Sequence, residues 1–397
     1  MVEIRRAQSD EILAGLTPVS HYFGSVPSEE NAQRFSRVLK PERMHVAEED
    51  GRIVGGASAF ELQFTVPGAI VPAAGVTIVG VLPTHRRRGI LTQLMHAQLH
   101  DVHERGEPVA CLWASEEAIY GRYGYGMAAL CGDIEIARVH GGFRRPPEHG
   151  GAYRLLSLDE ALEVVPPVWA RVAAETPGMF ARPREWWEAR VLHDSESRRD
   201  GAGEMMRVVL ERDGEALAYA LYRVKMDFES GSSTGEVRVL EALGVSPEAT
   251  AGIWRYLLDV DWLDRVQADL LPVDHPLFLL LEQPRRLRFR LSDSLWVRLV
   301  DVGAALAARV LAGDLVLEVA DVFCPWNDAR YALNGSKSMD EADLRLDVSD
   351  LGTVYLGGFT LAQLSRAGRV EELTEGAVAK ADAAFRTDRA PWCPEIF

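Results

Sequence analysis

The first residues that could do chemistry form a basic loop between two regular segments. The β-branched run Gly75–Val81 ends before Pro83, and Arg86–Arg88 then precede Gly89 and the helical pattern Ile90–Glu104. A helix N-terminus offers unpaired backbone N–H groups and the positive end of the helix dipole, and a glycine lets the backbone approach a ligand closely. The spacing therefore predicts a site for an anionic group such as pyrophosphate. An exposed helix start with solvated arginines has the same composition, and these residues alone leave both interpretations open.

A second block, Ala114–Gly126, alternates tyrosines with glycines. A positioned phenol can donate a proton to a leaving group in general acid catalysis. A half-buried core aromatic is the commoner role of a single tyrosine. Composition alone does not decide between these roles.

The elements that must position these residues follow from hydrophobic periodicity. Stretches rich in Gly, Pro and charge at 140–151 and 282–288 divide the chain into three segments. The first segment places the basic loop between a strand at Gly75–Val81 and a helix at Ile90–Glu104, with another strand at Arg52–Ala59. This mixture predicts an α/β fold.

The second segment repeats that order of elements. It has strands at Met206–Glu211, Ala216–Val224 and Val237–Val245, followed by a helix at Glu248–Leu258. A diverged duplication would explain the repetition. In the place of the arginines stands Ser246–Ile253, in which Glu248 would repel a pyrophosphate. We expect this copy to bind no cofactor.

The third segment has a different order of predicted elements. Its strand-like runs are Leu295–Leu299, Leu315–Val319 and Ala342–Val348, and helical patterns follow at Thr360–Ala367 and Thr374–Phe385.

Composition narrows the function classes. The chain has 397 residues, 47% of them hydrophobic, and a formal net charge of −16. These values are typical of a multidomain globular protein and make nucleic acid an unfavourable partner, because phosphate binding needs clustered Lys and Arg. The four cysteines are widely separated, so we expect reduced thiols and no metal site. The first ten residues are charged, and no later run is long enough for a membrane span, so we expect a cytoplasmic protein.

The basic loop also carries a resemblance. Its sequence is similar to the acetyl-coenzyme A signature of the GNAT acetyltransferase superfamily, Arg/Gln-x-x-Gly-x-Gly/Ala, with Arg86 and Gly89 matching and Leu91 departing from the expected Gly/Ala. The tyrosine block resembles the later GNAT motif, and by that match Tyr120 is the general acid. Tyr123 and Tyr125 are interpreted as packing and turn residues. The resemblance implies acetyl-coenzyme A as co-substrate, bound by the following residues: Val79, Val81, Arg86, Arg87, Gly89, Ile90 and Ser115.

Both blocks together resemble the Eis (enhanced intracellular survival) family, and this resemblance covers the whole chain. It implies tandem GNAT domains at 1–143 and 152–288, the second degenerate, and a sterol-carrier-protein-like α+β domain at 289–397. It also implies a homohexamer, and it makes the terminal carboxylate, here that of Phe397, the catalytic base. A frayed tail is the usual state of a chain end, although Trp392, Pro394 and Phe397 are expected to limit fraying here.

Two hypotheses from different classes remain. The leading one is direct acetyl transfer to primary amines of cationic substrates such as aminoglycosides or polyamines, with protein lysines as a further class. The alternative is a carrier of lipid or another apolar ligand, or a coenzyme A-sensing regulator, that performs no turnover.

Overall fold

The computed structural model describes residues 2–148 and 150–397. Within these ranges the strands, in chain order, are β1 (Glu3–Arg6), β2 (Met44–Glu49), β3 (Arg52–Val66), β4 (Ala69–Val81), β5 (Val109–Trp113), β6 (Gly126–Met127), β7 (Leu130–Ala137), β8 (Ala152–Leu155), β9 (Met206–Arg212), β10 (Glu215–Lys225), β11 (Phe228–Glu229), β12 (Ser232–Ser233), β13 (Glu236–Gly244), β14 (Arg265–Pro272), β15 (Arg290–Asp293), β16 (Leu295–Leu299), β17 (Val316–Ala320), β18 (Ala329–Ala332), β19 (Leu344–Asp347) and β20 (Val370–Glu372).

The α-helices in the same ranges are α1 (Ile12–Tyr22), α2 (Glu29–Ser36), α3 (Ile90–Glu104), α4 (Glu117–Tyr120), α5 (Leu158–Glu175), α6 (Arg184–Trp186), α7 (Pro247–Leu258), α8 (Leu277–Leu280), α9 (Val302–Ala308), α10 (Val348–Tyr355), α11 (Leu361–Arg366) and α12 (Ala377–Phe385). None of the helices in the described ranges has both the length and the apolar character that a membrane crossing requires.

The chain forms two compact units that do not follow chain order. The first contains the residues up to Ala129, Ser294–Pro391 and Ile396–Phe397, and the second contains Leu130–Asp293 and Trp392–Glu395. Each unit has its own main sheet, so each can bury its own apolar side chains.

The main sheet of the first unit has the strand order β1–β2–β3–β4–β5–β16–β6. Strand β4 runs parallel to β5, whereas β16 pairs antiparallel to β5, with Val297 opposite Cys111. The run Leu295–Leu299, which the sequence places in the third segment, is therefore a strand of this first sheet. Helix α3 covers the sheet with the buried side chains Leu94, Met95 and Leu99.

The first unit also contains a smaller sheet in the order β18–β17–β19–β20. Helices α10, α11 and α12 belong to the same part of the chain, and α10 is buried along its whole length. This α+β arrangement of residues 316–385 matches the mixture of strands and helices that the sequence predicts there.

The main sheet of the second unit has the order β15–β7–β14–β13–β10–β9–β8. Its core contains Trp254 and Leu257 of α7 on one side and Trp169 of α5 in a second cluster. Helix α5 begins with a capping box in which Ser157 and Glu160 exchange hydrogen bonds with each other's backbone N–H groups.

Most of the predicted elements are present with small shifts at their ends, whereas β3 extends to Val66 and β4 already begins at Ala69, well beyond the predicted runs. The bounds of α3 and β16 are those that the sequence predicts. Helix α1 was not predicted, and its local signals are weak, because it has no side-chain cap, no acidic first turn and Pro18 in its interior. All four cysteines are buried as free thiols.

Candidate active site

Strand β4 contains a bulge beside the predicted cofactor residues. In its ladder with β3, Gly56 pairs with Gly80 but Ser58 pairs with Thr77, so Ile78 and Val79 together face a single residue of β3. Ile78 has φ +57°, which is unusual for a β-branched residue and costs on the order of 1–3 kcal/mol. Such strain persists where the surrounding structure enforces it, and bulges redirect backbone groups next to active sites.

Strands β4 and β5 separate just before this bulge. In the described part of the chain, their parallel ladder spans only Ala73–Gly75 opposite Val109–Cys111. The remainder of β4, from Val76 to Val81, continues past the end of the ladder. A polar, extended ligand could bind along this open strand edge, because its backbone N–H and C=O groups need partners.

Helix α3 follows β4 through the basic loop. Gly89 is its N-cap residue with φ +75°, and no side chain caps the helix. The left-handed conformation suits glycine. The first N–H groups of this 15-residue helix thus remain available to an anion, as the sequence predicts.

A cleft of about 510 Å³ lies where these elements meet. Its lining brings together every predicted cofactor residue and the predicted acid, namely Val79, Val81, Arg86, Arg87, Gly89, Ile90, Ser115 and Tyr120. The sequence-based prediction missed Val19 and Tyr22 of α1, and Phe23 directly after it, which also line the cleft. These residues could have been found if α1 had been recognised as an amphipathic helix, but its local sequence pattern is weak.

The three arginines of the loop have different partners. Nη1 and Nη2 of Arg88 donate to the two carboxylate oxygens of Glu49 at 2.9 and 2.5 Å. Arg88 is not part of the cleft lining, whereas Arg86 and Arg87 are. Arg86 instead contacts Tyr22, its Nε donating to the tyrosine hydroxyl. Only two of the three side chains are thus placed to meet an anion in the cleft.

Tyr120 also lines the cleft and is only 6% exposed. Its ring packs edge to face on Tyr125, with 5.9 Å between the ring centroids. Burial raises the pKa of Tyr120 to about 12, and the Ser115 hydroxyl opposes the increase. The phenol is therefore protonated at neutral pH, which is the state that a general acid needs.

The chain end reaches β4 at the point where β4 and β5 separate. The ring of Phe397 packs edge to face on Phe60, with centroids 6.4 Å apart, and its Cε2 lies 3.3 Å from where a Cβ of Gly75 would be. Gly75 is the last residue of the ladder with β5. Phe397 is absent from the described residues that line the cleft itself.

Glu395 is held within the second unit. Its carboxylate accepts from Nε1 of Trp186 and Nε of Arg190, both at 2.9 Å, and pairs with Nη2 of Arg182 at 2.9 Å. Burial alone would raise the pKa of Glu395, but the charges of Arg182 and Arg190 lower it below its usual value. These contacts engage both carboxylate oxygens, so Glu395 anchors the tail.

The corresponding loop of the second unit lacks the features of an anion site. Strand β13 leads into α7, whose first residue, Pro247, has no N–H group. The Ser246 hydroxyl accepts the N–H of Ala249, so the helix start is capped by its own side chain. This geometry supports the prediction that the second copy binds no cofactor.

Comparison with known proteins places the chain in a family. Models for the acetyltransferase (GNAT) domain match residues 3–128 and 178–299, and a model for the sterol carrier protein domain matches residues 302–394. An N-acetyltransferase of Streptomyces avermitilis, itself uncharacterized, is 42% identical over 96% of each chain. The N-acetyltransferase Eis of Mycobacterium bovis is 34% identical over 89% of each chain.

Solved structures give the same result. Eis1 from Mycobacterium abscessus superposes with a TM-score of 0.88 at 36% identity, over 100% of both chains. A GCN5-related N-acetyltransferase from Anabaena variabilis, with a TM-score of 0.83 over 100% of both chains at 21% identity, shares the fold. The chain belongs to the Eis family of N-acetyltransferases, with two GNAT domains followed by a sterol-carrier-protein-like domain.

Proposed function

We propose that this acetyltransferase moves the acetyl group of acetyl-coenzyme A directly onto a primary amine of a cationic substrate. The observation that carries the proposal is the cleft, in which an open strand edge, an uncapped helix N-terminus, two arginines and a protonated tyrosine meet. Coenzyme A has the matching parts, since its pantetheine arm is extended and polar and its pyrophosphate is anionic. The residues present therefore fit this co-substrate.

Each part of the cleft has a role in this proposal. Backbone groups of Val79 and Val81 bind the acetyl and pantetheine portions along the open edge of β4. Arg86, Arg87 and the backbone at Gly89 and Ile90 bind the pyrophosphate at the start of α3. Ser115 and Tyr120 also line this cleft. Acetyl-coenzyme A supplies the activated acetyl group when bound.

Tyr120 protonates the leaving thiolate. The amine nitrogen attacks the thioester carbon, the C–S bond breaks, and the phenol proton goes to sulfur. Because the pKa of Tyr120 is about 12, the phenol keeps its proton at neutral pH until the C–S bond breaks, and the proton that the attacking amine loses restores the phenol afterwards.

The terminal carboxylate of Phe397 takes the role of base. Its reference pKa of about 3.5 is far below the ~10.4 of an alkylammonium, so it acts through water or by holding the cationic nitrogen as the proton leaves. The position of the Phe397 ring, beside the separation of β4 and β5, supports this assignment.

Aminoglycosides and polyamines are the proposed acceptors, with protein lysines as a further class. The net charge of −16 favours cationic molecules in general. The homohexamer implied by the family resemblance and the cytoplasmic location expected from the sequence also belong to the proposal, and light scattering of the purified protein tests the former.

The deciding experiment is thiol release from acetyl-coenzyme A with a panel of aminoglycosides and small polyamines. We expect turnover with at least one amine, and mass spectrometry of the product should show added acetyl groups. Failure with every amine, together with copurified lipid, would instead favour a carrier or a coenzyme A sensor.

A further inference from the structure

Tyr22, the last residue of α1, makes an unusual set of contacts with the basic loop. Its ring lies under the guanidinium of Arg86, with 4.3 Å from Cζ to the ring centroid. Its hydroxyl accepts a hydrogen bond from Nε of Arg86 and donates one to the Val81 carbonyl at 2.7 Å. The Tyr22 side chain, 64 positions before Arg86 in sequence, thus connects this arginine to the end of β4.

Close packing of α1 on β4 determines where Tyr22 lies. A Cβ on Gly80 would be 2.9 Å from both Cα and N of Val19, so the helix backbone rests directly on the strand. Tyr22 follows Val19 by about one helical turn and on the same face. The ring is therefore carried past Gly80 to Val81 and the loop beyond it.

These contacts leave the Nη groups of Arg86 available to bind an anion. Tyr22 occupies the Nε–H and one face of the guanidinium, and the Nη groups carry the remaining donors. A long arginine side chain loses considerable rotamer freedom when it binds an anion. Because stacking and the Nε hydrogen bond already restrict Arg86, less of that freedom remains to be lost.

The other two arginines show that this arrangement is specific to Arg86. Arg88 is turned away to Glu49. Arg87 lines the cleft with φ +60°. Among the described residues, neither has an aromatic ring stacked on it in the way that Tyr22 is stacked on Arg86.

We propose that Tyr22 is a positioning residue that holds Arg86 toward the pyrophosphate of coenzyme A. The inference rests on the proposed function, since it takes coenzyme A as the ligand of the cleft. It assigns to α1 a part in the affinity for the nucleotide end of the co-substrate and none in acetyl transfer itself.

The test compares ligands that do and do not contain the pyrophosphate. Binding of coenzyme A is measured by calorimetry, and KM and kcat are measured with acetyl-coenzyme A and with acetyl-pantetheine, which lacks the pyrophosphate and the nucleotide. The variants are Tyr22→Ala, Tyr22→Phe, Arg86→Ala and the double variant Tyr22→Ala/Arg86→Ala. Arg88→Gln is the matched arginine control, and Val26→Ala, at an 89% exposed position, is the control for the end of α1.

We expect Tyr22→Ala to weaken coenzyme A binding about tenfold, which corresponds to about 1.4 kcal/mol, and to raise KM for acetyl-coenzyme A with little change in kcat. Tyr22→Phe retains the ring and should lose about threefold. In the Arg86→Ala background, Tyr22→Ala should add less than about twofold, because coupled residues are non-additive. KM for acetyl-pantetheine should be the same in the wild-type protein and in Tyr22→Ala.

Equal losses with acetyl-coenzyme A and acetyl-pantetheine would overturn the inference, because Tyr22 would then shape β4 and not the arginine. Tighter binding of coenzyme A by Tyr22→Ala would also overturn it, since the ring would then obstruct the cleft. If the wild-type protein binds coenzyme A and Tyr22→Ala binds it equally well, only the role of Tyr22 fails. If the wild-type protein does not bind coenzyme A, the proposed function itself fails.

Discussion

Arg298 and Asp321 form a fully buried ion pair with 2.6 Å between Nη2 and Oδ2. Asp321 also accepts the backbone N–H of Cys324 and the side-chain amide of Asn327, at 2.9 and 3.0 Å. The Arg298 guanidinium lies against the turn that follows Tyr120, because a Cβ on Gly124 would be 2.7 Å from its Cζ. Arg298, which lies just before the sterol-carrier-like region in sequence, thus packs against the turn at Gly124 that follows Tyr120.

Removing the charge of Asp321 should destabilise the first unit strongly. In Asp321→Asn the guanidinium of Arg298 would remain buried without a counter-charge, which costs about 3–5 kcal/mol. Urea denaturation measures the loss. Glu215→Gln, which breaks the exposed pair of Glu215 with Arg171, should change stability by at most about 1 kcal/mol. Combining Arg298→Met with Asp321→Leu should be less harmful than Asp321→Asn, and a more harmful double variant would contradict the explanation.

Tyr120→Phe should lower kcat by about 10²–10⁴-fold, because the leaving thiolate loses its proton donor. The KM for acetyl-coenzyme A should change little, since the ring and its packing on Tyr125 remain. Steady-state thiol release at saturating amine gives both constants. Tyr123→Phe is the matched control, and an equal loss of kcat in that variant would remove the special role of Tyr120.

The raised pKa of Tyr120 predicts how stability depends on alkaline pH. Its pKa is about 12 in the folded protein against an ordinary value of 10.0, and burial is the main cause. The unfolded chain therefore releases this proton first, so the contribution of Tyr120 to stability is complete below pH 10 and is lost as pH rises through about 12. Urea denaturation at pH 9 and 11 should show a smaller decline with pH in Tyr120→Phe than in the wild-type protein. An identical decline in both proteins would show that the pKa of Tyr120 is not raised in the folded protein.

A single alanine added after Phe397 should separate the carboxylate from the aromatic ring. The extension keeps the ring packed on Phe60 but moves the negative charge by one residue. If the carboxylate is the base, kcat should fall by about 10²-fold or more while thermal stability is unchanged. Phe397→Ala, which keeps a terminal carboxylate in sequence register, is the comparison. Full activity of the extended protein would exclude the base assignment.

Glu395→Gln should release the tail from the second unit. The substitution leaves Arg182 and Arg190 with one fewer buried negative partner, and the expected cost is about 3–5 kcal/mol. Carboxypeptidase should then shorten the variant faster than the wild-type protein. Asp388→Asn, at an exposed position nearby, should be trimmed at the wild-type rate. Equal trimming of Glu395→Gln and the wild-type protein would show that another contact retains the tail.

The Glu395 carboxylate also predicts how the stability of the protein depends on acidic pH. The pKa of Glu395 is lowered in the folded protein, where the charges of Arg182 and Arg190 outweigh the effect of burial. Its stabilising contribution is therefore present above the ordinary value of 4.5 and is lost as pH falls below that value through the lowered pKa. Thermal melts at pH 5 and pH 3 should differ less in Glu395→Gln than in the wild-type protein.

Local sequence was sufficient to predict the α/β character of the first segment and the loop-to-helix part of the candidate site. Strand, basic loop and helix are consecutive, so spacing alone predicted α3 and placed Arg86, Gly89 and Ile90 together. The family assignment and the α/β and α+β composition were confirmed as well. The domain limits at 1–143, 152–288 and 289–397 and the roles of Tyr120 and Phe397 stay predictions.

Other features depend on contacts between distant parts of the chain. Leu295–Leu299 could be recognised as a strand, but its alternating pattern does not specify a partner, and only the fold pairs it with β5. Nothing in the local sequence distinguishes Tyr22 from other tyrosines. Its position under Arg86 results from packing of α1 on Gly80. The sequence by itself determined what neighbouring residues form together, whereas the tertiary structure decided which distant side chains meet, because such pairings leave no local periodic signal.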